Sequence, residues 1–200
     1  MKTDLQTTAN SGIRPVSQPA SSWTFLDESH RLIRLLNIRP GERVLEIGCG
    51  SGRNFEMIQR HLKCTGELTG VDSSAPVLRK ALERTQNKGW KNVLLIDHEY
   101  GREPIAEGRS DVVLLSFWLS TVSNWKWALD CAHAELRYGG RIGVVDFCRA
   151  ESGVPDPSHE VRLKELFNER DHQRHYAWFG TMPFYIFVGE RDALSRQEVA

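Results

Sequence analysis

The chain has 200 residues, with 26 basic against 26 acidic side chains and so no formal net charge. That length suits one α/β domain with a substantial core rather than two domains, and a neutral balance offers no global field to gather nucleic acid, so no nucleic-acid partner is expected. Four cysteines, Cys49, Cys64, Cys131 and Cys148, form no C-x-x-C pair, which argues against a zinc site or a disulfide framework, and no stretch approaches the roughly 20 apolar residues of a membrane span. A soluble, cytoplasmic protein without a metal is the expectation.

Residues 1–21, rich in Thr, Ser, Pro, Gln and Asn, bury too little apolar surface to offset ordering. A mobile arm is expected there, followed by one domain over 22–191 and a tail over 192–200. Phe25, Leu32, Ile33 and Leu36 recur at i, i+7, i+8 and i+11, which predicts a helix from about Trp23 to Asn37, stopped by Pro40-Gly41. Arg43 to Ile47 then reads as a buried strand running into Gly48-Cys49-Gly50-Ser51-Gly52. Alternate glycines let the backbone bend with no Cβ in the way, so a ligand can press on the main chain. Asn54, Phe55, Met57, Ile58 and Leu62 predict a helix opening from that turn, its first N–H groups aimed at whatever the turn holds. The spacing excludes two relatives of this motif: Arg53 stands where a dinucleotide fingerprint needs its third glycine, and no G-x-x-x-x-G-K-[ST] phosphate loop occurs.

Glu67 to Asp72 reads as a second strand with an acid at its carboxyl end. Asp72 suits the two hydroxyls of a ribose, with a cap on the helix predicted over Ala75 to Asn87 as the alternative. Val93 to Ile96 is a third strand finishing at Asp97-His98, and Asp111 to Ser116 a fourth, leading into Phe117-Trp118-Leu119-Ser120. A helix over Asn124 to Leu136, capped by Ser123 or Asn124, precedes a fifth strand, Arg141 to Phe147, that carries Asp146 near its end. A loop over 150–158 precedes a helix around Val161 to Phe167, and Tyr176–Phe179 with Phe184–Val188 suggest a closing strand pair. Arg170, His172, Arg174 and His175 form a basic cluster between them, read as a solvated rim or a seat for an anionic headgroup.

With its E-x-G-x-G-x-G form, Glu46 to Gly52 resembles the first motif of the class I S-adenosylmethionine-dependent methyltransferases. Val71-Asp72, Ile96-Asp97, Asp111 to Leu114 and Leu136-Arg137-Tyr138-Gly139-Gly140 look like the family's later landmarks, in order, with Tyr138 in place of the usual proline of the turn before strand 5. The resemblance implies a single Rossmann-like domain: a mostly parallel seven-stranded sheet, helices on both faces, an antiparallel last strand. It implies S-adenosylmethionine as cofactor, with Glu46, Gly48, Cys49, Gly50, Gly52, Asp72, Ser73, Asp97, His98 and Ser116 around it. In the family, the acid at Asp97 takes the adenine amine and the next backbone N–H meets a ring nitrogen. A sulfonium has no hydrogen to donate, so an aromatic face such as Phe117 or Trp118 is its natural neighbour. Trp118 and Asp146 are the expected acceptor contacts, and no catalytic residue is named. Gly143 to Phe147 and Leu119 to Trp125 are similar, more narrowly, to bacterial enzymes that methylate amino lipid headgroups, which implies a small-molecule or lipid-headgroup acceptor, its amine nitrogen and peripheral membrane contact. A cofactor-binding sensor or partner subunit, and a cyclase or isomerase, are the other activities this scaffold admits.

Overall fold

The computed structural model describes residues 22–148, 157–177 and 182–192. The arm expected over 1–21, most of the loop at 150–158, the turn at 178–181 and the tail from 193 lie outside them, as does the side chain of Trp23. The described elements are α1 (Ser22–Leu35), β1 (Arg43–Ile47), α2 (Phe55–Leu62), β2 (Glu67–Asp72), α3 (Ala75–Lys88), β3 (Val93–Asp97), β4 (Ser110–Ser116), a 3-10 turn (Leu119–Thr121), α4 (Trp125–Glu135), β5 (Leu136–Phe147), α5 (Ser158–Leu166), β6 (Asn168–Ala177) and β7 (Met182–Glu190).

The strands form one sheet in the order β3-β2-β1-β4-β5-β7-β6. β1 to β5 pair in parallel, whereas β7 runs antiparallel to both β5 and β6. Leu32, Ile33 and Leu36 of α1, Phe55, Ile58 and Leu62 of α2 and Ala81 of α3 cover one face. Ala128, Leu129 and Ala132 of α4 and Leu163 of α5 cover the other. All of these side chains are fully buried, and each large one contributes about 1.5–3 kcal/mol of transfer free energy. The chain winds outward from β1 to β3, then crosses back to begin β4 on the other side of β1. That reversal splays the loops beyond Ile47 and Ser116 apart and opens a crevice at the carboxyl ends of the strands.

Two local outcomes differ from the sequence expectation. Leu136 to Gly140 is not a turn ahead of the strand but part of β5: Leu136 pairs with Ser110 and Arg141 with Val112, and the intervening residues bulge out. Gly139 and Gly140 there exchange backbone hydrogen bonds with Arg191, each 2.9 Å, so the bulge is tied to the end of β7. β6 begins at Asn168, well before the expected Tyr176, so the basic cluster lies in a sheet-edge strand. Arg170 pairs with Glu190, while His172 and Arg174 meet the buried carboxylate of Glu160. The crossover from β3 to β4 contains no helix. It is fastened by Glu135, a fully buried carboxylate that accepts the Ile105 and Ala106 N–H groups.

Candidate functional site

The glycine turn shapes the floor of the crevice. Its N–H groups are used within the protein: Cys49 N–H donates to Val71 O (3.0 Å), Gly50 N–H to Asp72 Oδ2 (2.9 Å), and Gly52 N–H to Cys49 O (3.0 Å). The helix after it starts only at Phe55 and spans 8 residues. With those three N–H groups taken, what the turn presents at Gly50 is a surface without side chains. At Gly50, with φ +55°, a Cβ would meet only Val77 Cγ1, at 3.9 Å, so the backbone there faces open space. At Gly48, with φ +69°, a Cβ would lie 2.1 Å from Trp118 Cδ1. The indole rests directly on the main chain, an approach only glycine permits.

A cavity of about 260 Å³ opens beside this turn. Gly48, Val71, Asp72 and Ser73 form one side, His98, Glu99 and Tyr100 the second, and Trp118, Val122 and Asn124 the third. Of the predicted residues, Gly48, Asp72, Ser73, His98 and Trp118 therefore meet at one place. Asp72 ties together the backbone on either side of the crevice floor. Its Oδ1 accepts Ser74 N–H at 2.9 Å, as a turn-forming aspartate does, and its Oδ2 takes Gly50 N–H. Each oxygen retains acceptor capacity toward the cavity. His98 Nε2 is buried without a partner.

Five predicted residues are placed differently. Asp97 is exposed and is not among the residues lining the cavity. The N–H of His98, expected for a ring nitrogen, already donates to Asp72 O at 3.2 Å within the sheet. Cys49 directs its side chain into the core and its thiol is pushed up by burial. Ser116 Oγ sits 2.5 Å from Ser29 Oγ and so joins α1 to the end of β4. Asp146 is 0% exposed, with Oδ2 on Ser120 N–H and Oδ1 on Phe147 N–H, leaving no carboxylate surface for an acceptor molecule.

Glu46 lies under the turn, 1% exposed, with Oε1 accepting Asn54 Nδ2 at 2.7 Å. Burial raises its pKa to about 8; the Asn54 hydrogen bond opposes the rise and the negative charge of Asp72 adds to it. Among the described residues, Glu46 Oε2 and Asn54 Oδ1 have no hydrogen-bond partner. A buried polar atom without a partner is costly, and two of one kind call for a donor, preferably cationic. Beyond the turn, Phe25, Phe117 and Phe147 meet with ring centroids 4.9 to 5.4 Å apart, forming a half-buried aromatic shelf at the ends of β4 and β5. Phe117 holds φ +51°, a left-handed conformation costing a non-glycine residue roughly 1–2 kcal/mol, and this sends Trp118 to the opposite side of the sheet end.

Residues 45–142 match a family model described as a methyltransferase domain. Over that span, just under half of its length, the chain is similar to methyltransferase domains. The methyltransferase match covers the glycine turn, Asp72, the helix-free crossover and Trp118, which is the stretch that builds the crevice. A 2-phytyl-1,4-naphtoquinone methyltransferase from Nostoc sp. is 27% identical over 143 residues, covering 68% of this chain and 62% of the relative. The chain thus spans less than two thirds of that relative's length. Among solved structures, the N-methyltransferase NodS from Bradyrhizobium japonicum, in complex with S-adenosyl-l-homocysteine, aligns with a TM-score of 0.72 at 18% identity, covering 88% of this chain and 94% of NodS. The [4+2]-cyclase SpnF aligns with a TM-score of 0.70 at 16% identity, covering 82% of each chain. At those identities the structural likeness shows the fold alone. Four cavity residues, Glu99, Tyr100, Val122 and Asn124, carried no sequence signal. They sit in connections rather than motifs, and Asn124, expected as a helix cap, instead donates to Gly101 O at 3.3 Å.

Proposed function

We propose that the chain binds S-adenosylmethionine in this crevice and transfers its methyl group to a small-molecule acceptor. The observation that carries the reading is the combination of an open glycine cradle at Gly50, the acceptors of Glu46 and Asn54 buried beneath that turn, and Asp72 lining the cavity beside it. An amino-acid moiety presents an ammonium and a nucleoside presents a diol, and these residues supply acceptors for both. Gly48, Ser73, His98, Tyr100 and Trp118 would enclose the rest. When bound, the cofactor supplies an electrophilic methyl on a sulfonium. The work left to this chain is alignment and exclusion of water, which need no dedicated base.

The acceptor would lie against the shelf of Phe25, Phe117 and Phe147, which favours an apolar, planar body. The finer expectation from sequence, an amine nitrogen on a lipid headgroup, draws less support. The cations suited to a headgroup phosphate, Arg170 and Arg174, are engaged by Glu190 and Glu160. The naphthoquinone acceptor in the Nostoc relative's name favours a ring acceptor instead. A cofactor-binding sensor or a cyclase shares the fold, so product decides. Incubation with S-adenosylmethionine and a phytyl naphthoquinone lacking its ring methyl, or an ethanolamine lipid, should give one acceptor heavier by a methyl and an equal amount of S-adenosylhomocysteine. Tight cofactor binding with no methylated product from any acceptor class would turn the reading toward the sensor.

A further inference from the structure

One buried charge in the crevice wall touches neither the cavity nor the glycine turn. Asp146, 0% exposed, receives Ser120 N–H at 3.0 Å and its own neighbour Phe147 N–H at 2.7 Å, with the Ser120 hydroxyl and the Leu119 N–H adding to its donors. Three of those four donors belong to the 3-10 turn that follows β4. Among the described residues no lysine or arginine pairs with this carboxylate. A buried charge without a cation is an expensive way to hold a three-residue turn, since a neutral side chain could cap it. The turn begins at Trp118, whose carbonyl accepts Thr121 N–H (2.9 Å) and Thr121 Oγ1 (2.6 Å), and whose indole rests on Gly48. The next element is the cavity wall at Val122 and Asn124.

We propose that Asp146 is a positioning residue whose carboxylate clamps the Leu119–Thr121 turn and thereby holds the Trp118 indole against Gly48 as the fixed wall of the cofactor crevice. The inference rests on the cofactor reading above. It differs from the acceptor contact expected from sequence, because the carboxylate acts through Trp118 and meets no ligand itself.

The test is a double-mutant cycle on the full chain, with S-adenosylhomocysteine affinity measured by calorimetry at pH 7.5. Asp146→Asn should weaken binding about ten-fold, the loss expected for charge-assisted hydrogen bonds, while the melting temperature stays close to the parent's. In a Trp118→Ala background the same substitution should change affinity less than about two-fold, because the group being positioned is gone. Ser120→Ala removes only the hydroxyl from the clamp and should give a smaller loss, about two- to three-fold, that likewise vanishes beside Trp118→Ala; this cycle decides the matter should Asp146→Asn fail to fold. Parental affinity in Asp146→Asn, or losses that simply add to that of Trp118→Ala, would overturn the proposal while leaving the cofactor site intact. A parent protein that does not bind S-adenosylhomocysteine at all would overturn both.

Discussion

A glutamate in water is ionised at neutral pH, and Glu46 is held neutral by its burial, with a pKa of about 8. Asp146 shares the tendency, pushed up to about 6 by burial. Both folded-state values lie above the ordinary 4.5 and 3.8, so folding favours the protonated forms. The stability they contribute is complete below about pH 4 and is lost as pH rises, through about 6 for Asp146 and about 8 for Glu46. Denaturant midpoints of the free protein should therefore fall between pH 5 and roughly 8.5, and Glu46→Gln should flatten the upper part of that decline. An ammonium arriving beside Glu46 favours the ionised form, so cofactor binding near pH 7 should release a proton. Calorimetry in two buffers of different ionisation enthalpy would reveal it as a buffer-dependent heat; identical heats would detach Glu46 from the cofactor. Asp72 calls for a different outcome, since it bonds both the turn and the next helix. Asp72→Ala should weaken S-adenosylmethionine binding roughly ten- to a hundred-fold and cost about 1 kcal/mol of stability. A parental affinity would remove it from the ribose site.

At the scale of elements, the two ends of the glycine turn should respond in opposite ways. Gly50→Ala places its Cβ in open space but keeps a left-handed φ, so the protein should fold with a loss of roughly 1–2 kcal/mol and bind cofactor poorly. Gly48→Ala drives a Cβ into the indole of Trp118, so thermal melts should show the larger loss. The elements themselves were legible wherever apolar periodicity or glycine punctuation was strong. The predicted ends of β1 and β2 match those observed, and Gly89 closes α3 in the left-handed conformation its sequence suggests. β6 was illegible because its sequence, NERDHQRHYA, has no alternation of apolar residues. Such charge on an edge strand discourages pairing with other chains and so disguises the strand in sequence. Its charges are structural: Glu160 is 2% exposed while Arg174 stands largely in water. Removing this solvent-screened cation leaves Glu160 with the His172 imidazole alone, so Arg174→Ala should lower stability by about 1 kcal/mol in urea titrations and Glu160→Gln by less. The reverse ranking would show that Glu160 is held by something other than its cation.

Across the whole molecule, the mostly parallel sheet was legible through the family resemblance, and sheets of this kind gather ligands where the winding reverses. What stayed hidden was the part of the site that depends on depth. Sequence placed Asp97 and Asp146 near the strand ends but gave no sign that one would face solvent and the other be sealed beneath a turn. Tyr100 and Asn124 reach the cavity from connections whose path is set by tertiary contacts, among them the grip of Glu135 on the helix-free crossover.

The position of β7 has a consequence for how the chain is made. Met182–Glu190 lies between β5 and β6 and pairs along the length of both, yet it leaves the ribosome after either. Until then, the apolar edge of β5 from Ile142 to Val145 is exposed, and β6 has no neighbour to pair with. A nascent chain stalled at residue 181 should hold a formed glycine turn and still seek chaperones. Ribosome-bound chains arrested before and after β7 would differ in chaperone crosslinking more than in cofactor contact.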